Sequence, residues 1–373
     1  MILRNYSSLN DFFPRKEHFI EYDFFRQANV THSEKDLGID IYSVVNNSLV
    51  ILLGILMMIP MIIGNILVCI AIKKERSLQQ PQNTLLISLA VSDLLIGVLV
   101  LPFNILYEVL DVWIVGEILC EMWKACDVMC STASIINLCF ISVDRYFSIR
   151  IPVKYSKHRN VGIMYFFIAI VWAISLVICV PPLFGWRTEQ IVENQCLYPT
   201  DKPVYVIYSI MFSFYIPSFI MIFVYVNIFL LAKNRYAKQT STINGISITS
   251  ASGGQTESSL IICQNVKGKK TTRPISPLVK NQAIKIKMQK EKERRAIFVL
   301  GVIMGSFISC WLPFFLLYPI ISLCGPKCET NVLLFILKVF TWLGWCNSSL
   351  NPIIYTIFNE DFRVAFKRIL HLK

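Results

Sequence analysis

Seven stretches of about 20 or more mostly apolar residues recur along this chain, and that repetition limits its possible folds more than any other feature. They run approximately Leu49–Ile72, Thr84–Leu106, Met122–Ile149, Ile163–Phe184, Tyr205–Leu231, Ala296–Leu323 and Val332–Phe358. At about 1.5 Å of rise per residue, each can cross a hydrocarbon core of roughly 30 Å as a helix. Composition agrees: 55% of the 373 residues are AVILMFWYC and 16% are charged, where a soluble domain carries about 25% charged residues. Glycine and cysteine are too scarce for a collagenous or disulfide-stapled secreted chain. The expected fold is an all-α membrane protein, a seven-transmembrane helix bundle. Pro102, Pro217, Pro313 and Pro352 lie inside apolar runs. They read as kinks whose freed carbonyls neighbouring groups satisfy.

Charge sets the orientation. Lys73, Lys74 and Arg76 follow span 1, and Arg145, Arg150, Lys154, Lys157 and Arg159 mark the end of span 3. Lys285, Lys287, Lys290, Lys292, Arg294 and Arg295 precede span 6, and Arg363, Lys367, Arg368 and Lys373 lie in the tail. The positive-inside rule puts the N-terminus outside and the C-terminus inside. The net charge of +12 therefore reflects inner loops, and no nucleic-acid partner is expected.

Residues 1–42 form a polar outer segment with sequons at Asn5 and Asn29, expected to be glycosylated, and Asn46 begins a third close to the membrane. No apolar leader with a cleavage site precedes span 1, so span 1 is expected to act as the insertion signal. The bundle spans 43–358. Its third inner loop, about 233–295, is rich in Ser, Thr and Gly over Gln239–Ser259, a composition that predicts partial disorder. In the final segment, 359–373, Asn359–Leu370 gathers Phe362, Phe366, Ile369 and Leu370 on one side, away from Arg363, Lys367 and Arg368. This predicts a short amphipathic helix on the inner membrane surface.

Most of the 12 cysteines fall inside spans as small apolar residues. Four lie on the oxidising side. A Cys120–Cys196 bridge would pin the loop before span 5 across the outer mouth. Cys324 and Cys328, in Cys-Gly-Pro-Lys-Cys, could close a small ring, and the alternative is two free thiols.

Ionisable groups at membrane depth are costly, which makes Asp93, Asp127 and Lys338 functional candidates. Asp127 follows Cys120 by seven residues, roughly 10 Å below the outer surface. Arg145 lies eighteen residues further, roughly 27 Å along and at nearly the same azimuth, and Ser134 is about 20° from Asp127. One stripe of span 3 thus carries Cys120, Asp127, Ser134 and Arg145, and must face the bundle interior. A carboxylate open to the outside suits an incoming cation; the alternative is an internal salt bridge with Lys338. The aromatics of Cys310-Trp311-Leu312-Pro313-Phe314-Phe315, with Trp342 and Trp345, could add cation–π attraction for an ammonium group. Ser209 and Ser213 stack on one face of span 5. They can bond back to their own helix or meet ring hydroxyls of a ligand.

Together these residues resemble a known family. Gly64-Asn65, Ser88-Leu89-Ala90-Val91-Ser92-Asp93, Asp144-Arg145-Tyr146, Trp172, Pro217 with Tyr225, the Trp311 run and Asn351-Pro352-Ile353-Ile354-Tyr355 occur in order on the appropriate spans. The chain resembles a rhodopsin-like (class A) G-protein-coupled receptor of the biogenic amine branch over about Ser43–Leu370.

The resemblance implies that Asp127 anchors an amine, with Val128, Ser131, Ser209, Ser213, Trp311, Phe314, Phe315, Tyr318, Trp342 and Trp345 around the ligand. It implies that Asp93, Ser134, Asn347, Ser348 and Asn351 hold a modulatory sodium ion, and that there is no other cofactor or metal. Asp144, Arg145, Tyr146, Tyr225, Glu293 and Tyr355 resemble the coupling switch, with Glu293 the inactive-state partner of Arg145. The implied partners are a small aromatic monoamine, a heterotrimeric G protein, arrestin, receptor kinases and membrane lipid, at the plasma membrane.

Runs such as Asp127-Val128-Met129-Cys130-Ser131-Thr132-Ala133-Ser134, with Trp345, resemble dopamine and octopamine receptors most, which makes dopamine the first expectation. Octopamine, tyramine and serotonin are the alternatives, and a peptide or orphan class A receptor a more distant one. An opsin would need a lysine at the place of Trp345. A transporter would show internal repeats, and no nucleophile–base or metal-ligand pattern suggests an enzyme.

Overall fold

A computed structural model describes residues 32–180, 195–196, 203–244, 246–250, 259–264, 270–274, 277–325, 328 and 330–371. The chain divides into two units, Met1–Leu52 and Leu53–Lys373. In the first, a helix is described from His32 onward. The Asn5 and Asn29 sequons lie outside the described residues.

Among the described residues, seven helices are long and apolar enough to cross a membrane: Ser43–Lys74, Asn83–Leu110, Glu117–Arg150, Val161–Cys179, Pro203–Asn234, Arg294–Cys324 and Asn331–Phe358. Each matches an expected span, here numbered 1 to 7. The ends extend past the apolar runs, because a helix continues beyond the hydrocarbon edge until a cap or proline stops it. Span 4 instead ends at Cys179, short of the expected Phe184, and residues 181–184 lie outside the described set. Span 3 is the central post. It packs on spans 2, 4, 5 and 6, and 61% of its apolar window is buried against 22% for span 4. Its polar stripe is tolerated because that face meets protein and not lipid.

Two of the four expected proline kinks take a specific form. A π-helical turn, Ile96–Val100, precedes Pro102, and another, Met211–Tyr215, precedes Pro217. A proline cannot donate to the carbonyl four residues back. Those carbonyls belong to Val98 and Ser213, each inside its π turn. Pro60–Gly64 forms a third such turn in span 1. Pro313, Pro319 and Pro352 instead lie within continuous helix.

Spans 1 and 7 meet closely at Gly64. A Cβ there would come 2.6 Å from Pro352 Cγ, so only hydrogen fits. The Asn65 side chain donates to the Met61 carbonyl at 2.8 Å and the Ser348 carbonyl at 3.3 Å, and Ser349 Oγ donates to the Met57 carbonyl.

The expected final helix spans Glu360–Ile369, capped by Asn359, whose side chain accepts from Asp361 N–H. Phe362 and Phe366 are buried and Phe362 stacks on Tyr355 at 5.2 Å, whereas Leu370 is exposed. Cys120–Cys196 and Cys324–Cys328 are both bridged, with Cα atoms 5.8 and 5.7 Å apart.

The third inner connection is described only in part. Helix continues to Asn244, and strands Ile246–Ser250, Ser259–Gln264 and Lys270–Pro274 form an antiparallel sheet with Ile248 opposite Ile261 and Ile262 opposite Thr272. Clustered β-branched residues favour extended pairing locally, although the surrounding Ser and Gly content points the other way.

Candidate functional site

The outer half of the bundle encloses a cavity of about 690 Å3, mouth included, lined by spans 3, 5, 6 and 7. Asp127, Val128, Ser131, Ser209, Ser213, Trp311, Phe314, Phe315 and Tyr318 all line it. Asp127 is 7% exposed. Trp345 Nε1–H donates to its Oδ1 at 2.8 Å, and Ser131 Oγ approaches the same oxygen at 3.5 Å. Lys338, the cation that could have neutralised Asp127, is bonded to Glu108 Oε2 at 3.0 Å.

The aromatic wall is a connected stack. Phe314 stands edge-on to Trp311 at 6.0 Å and to Phe315 at 5.2 Å, Tyr318 stacks on Phe314 at 5.3 Å, and Phe315 lies on Phe214 at 4.3 Å. Such contacts fix ring planes and leave few rotamers to freeze on binding. Gly344 makes room for Trp311: a Cβ there would meet its ring at 2.6 Å. Two expected ligand residues do not line the cavity. Trp345 is buried behind Asp127 and acts through its N–H, and Trp342 packs edge-on against Trp345 at 6.1 Å.

Sequence reasoning missed Thr132, Tyr205, Ile210, Phe307 and Thr341, which also line the cavity. The i, i+4 rule could have found three of them. Tyr205 lies four before Ser209, Phe307 four before Trp311 and Thr341 four before Trp345. It also missed Lys124, an ion-paired cation one turn above Asp127.

Below the cavity, Asp93 is fully buried. Ser134 Oγ donates to its Oδ1 at 3.2 Å and Asn351 Nδ2 to its Oδ2 at 2.8 Å. Ser92 and Ser134 hydroxyls are 2.9 Å apart. The side-chain carbonyl oxygens of Asn347 and Asn351 are buried without a hydrogen-bond partner, as is the Tyr355 hydroxyl. A carboxylate ringed by hydroxyls and unsatisfied acceptors is a donor set for a small hard cation. Trp172 Nε1 donates to Ser88 Oγ at 3.2 Å, tying span 4 to span 2 beside it.

At the inner end, Asp144 is buried. It accepts from the Tyr155 hydroxyl at 2.9 Å, and Arg159 Nη1 lies 3.7 Å from its other oxygen. Burial first, and the Asp144 charge second, push the Tyr155 hydroxyl above its usual pKa, so it remains a donor. Tyr146 accepts from Arg150. Tyr225 covers Gly301, where a side chain would collide with its ring. Arg145 is half-buried, next to Asp144. The expected Arg145–Glu293 pairing falls outside the description, because the Glu293 side chain is not among the described residues.

A seven-helix bundle with a carboxylate-based outer cavity and a buried polar inner core defines a membrane receptor. Residues 64–355 match the family "7 transmembrane receptor (rhodopsin family)". The chain belongs to that family, whose members are receptors and not enzymes. It is 40% identical over 83% of its length, and 86% of the relative's, to the "Probable G-protein coupled receptor No18" of Amphibalanus amphitrite. It is 39% identical to the 5-hydroxytryptamine receptor 1D of Cavia porcellus, covering 93% of this chain and 95% of that one. It is 37% identical to the human 5-hydroxytryptamine receptor 1B, covering 87% and 86%.

Proposed function

We propose that this chain is a plasma-membrane receptor for an aromatic monoamine, serotonin first among them, with its N-terminus outside and its C-terminus inside. The carrying observation is Asp127, a buried carboxylate with a neutral indole donor on one oxygen, at the edge of a cavity walled by Trp311, Phe314, Phe315 and Tyr318. An ammonium group there gains ion pairing and cation–π attraction together.

The ring end of the cavity is lined by the hydroxyl residue Ser209. Ser213 and Thr132 line the cavity too, and Thr132 Oγ1 is buried without a partner. A catechol needs two ring-hydroxyl partners; a hydroxyindole or phenol needs one. The 5-hydroxytryptamine receptors among the relatives weigh toward the hydroxyindole. Dopamine, the first expectation from sequence, gives way to serotonin, with tyramine and octopamine next.

Agonist binding shifts a population, and only tighter binding to the active arrangement drives the shift. Span 6 then moves about Pro313 and opens the inner face around Arg145 to a heterotrimeric G protein, with receptor kinases and arrestin acting afterwards. A sodium ion on Asp93, Ser134, Ser348, Asn347 and Asn351 favours the inactive arrangement. The test is G-protein nucleotide exchange in membranes expressing the chain, over serotonin, dopamine, tyramine and octopamine. A serotonin response at the lowest concentration is expected, and silence toward all four would overturn the reading.

A further inference from the structure

Two proline defects meet between spans 5 and 6. Pro217 has no N–H for the Ser213 carbonyl, and span 5 widens there into the π turn Met211–Tyr215. Pro319, inside span 6, has no N–H for the Phe315 carbonyl four residues back. The Tyr215 hydroxyl donates to that same Phe315 carbonyl at 2.8 Å. The last residue of one widened turn thus supplies the donor that the neighbouring span lacks. Help of this kind from an adjacent helix is what makes a proline tolerable at membrane depth.

The bond lands where the amine site is assembled. Ser213, two residues before Tyr215, lines the cavity, and so does Phe315. Phe214, between Ser213 and Tyr215 in sequence, lies on Phe315 with ring planes 9° apart. The part of span 6 that carries Phe314, Phe315 and Tyr318 runs between Pro313 and Pro319, so a helical bond is missing at each end of it. Stacked rings can slide over one another at little cost. A hydrogen bond to backbone fixes both a distance and a direction. Groups held in place beforehand lose less freedom when a ligand arrives.

We propose that Tyr215 is a positioning residue of the amine site: through the Phe315 carbonyl it sets the separation between Ser213 on span 5 and the aromatic wall of span 6. The proposal rests on the amine reading, with Ser213 meeting the ring hydroxyl.

The experiment puts the missing donor back. Pro319→Ala restores an N–H to position 319, so the Phe315 carbonyl no longer depends on Tyr215. Affinities for serotonin, and for tryptamine, which lacks the ring hydroxyl, are measured without G protein at matched surface level. The chains compared are wild type, Tyr215→Phe, Pro319→Ala and the double variant, and the Tm of each purified receptor is recorded. Tyr215→Phe is expected to weaken serotonin about threefold to tenfold and tryptamine less than about twofold. Pro319→Ala alone is expected to bind both as wild type does. In the Pro319→Ala background, Tyr215→Phe is expected to cost serotonin less than about twofold.

Three results would overturn the proposal. One is no serotonin loss in Tyr215→Phe. Another is the same loss in both backgrounds, which places the action of the hydroxyl elsewhere. The third is an equal loss for both amines, or coupling of the two substitutions in Tm without coupling in affinity, which marks a purely structural bond. Should Tyr215→Phe fail to reach the surface, the double variant is compared with Pro319→Ala: equal serotonin affinity supports the proposal and a loss overturns it. The amine reading fails by a different sign. If the wild-type receptor binds neither amine, or Asp127→Asn binds both unchanged, that reading falls and takes this role with it, whatever the Tm values do.

Discussion

The indole N–H of Trp345 donates to Asp127 Oδ1 at 2.8 Å, joining spans 3 and 7. The bond orients the carboxylate and satisfies one oxygen without neutralising its charge. Asp127→Ala removes both the charge and this joint. Losing the partner of a buried charge costs about 2–5 kcal/mol, so agonist potency should fall at least about tenfold for every amine. Trp345→Phe removes the donor and part of the buried ring. A hydrogen bond to a charged group is worth about 1.5–3 kcal/mol, so potency should fall at least about tenfold in the same nucleotide-exchange assay.

The ring end of the cavity offers a finer comparison. Thr132→Val and Ser213→Ala should each weaken serotonin by about threefold to tenfold, the worth of a neutral hydrogen bond. If Ser209→Ala costs serotonin as much as Ser213→Ala, both serines of span 5 meet the ring, and a catechol returns to first place.

Asp93→Asn replaces a carboxylate by a neutral amide of the same shape. Sodium chloride should lower agonist affinity in the wild-type receptor, and potassium chloride at equal ionic strength should do so much less. The variant should lose that difference, and its persistence would remove sodium from the Asp93 site.

Tyr155→Phe deletes the hydroxyl that donates to buried Asp144. A hydrogen bond to a charged group is worth about 1.5–3 kcal/mol, and the loss loosens the second inner connection from span 3. Maximal G-protein turnover should fall while amine affinity measured without G protein stays unchanged.

Gly64→Ala tests packing alone. Its Cβ would overlap Pro352, and overpacking of this kind costs about 1–3 kcal/mol. Purified receptor in detergent should show a lower Tm, with ligand preference unaltered.

The spans, the Asp127 stripe and the Cys120–Cys196 bridge were legible from apolar run length, helical periodicity and the placing of cysteines between spans, whereas the pairing of Cys324 with Cys328 stayed open until the structure brought them together. The wall of the cavity was only partly legible. Residues such as Phe307 and Thr341 look like ordinary packing until neighbouring helices are placed. Trp342 and Trp345 were assigned to the ligand because they are aromatic, yet Trp345 acts as a hydrogen-bond donor behind Asp127. Lys124 escaped notice because it lies close to the outer end of its span, where a lysine attracts little attention. What the sequence could not show was inter-helix register, which decided between Glu108 and Asp127 for Lys338.

The π turn at Ile96–Val100 gives span 2 a spare residue. In a regular helix, deleting one residue spins everything beyond it by about 100° and wrecks the packed face. Here the half of span 2 carrying Tyr107 and Glu108 keeps its azimuth because the wide turn absorbs that residue. A single deletion within 96–100 would tighten the turn to ordinary α-helix and leave both halves nearly on their present azimuths, Asp93 in the deeper half and Glu108 beside Lys338, because the wide turn and the ordinary one each close about one revolution. The wide turn therefore works as a slack loop in the span. A relative lacking that one residue would present the same outer rim over the same buried Asp93, with one residue fewer between them.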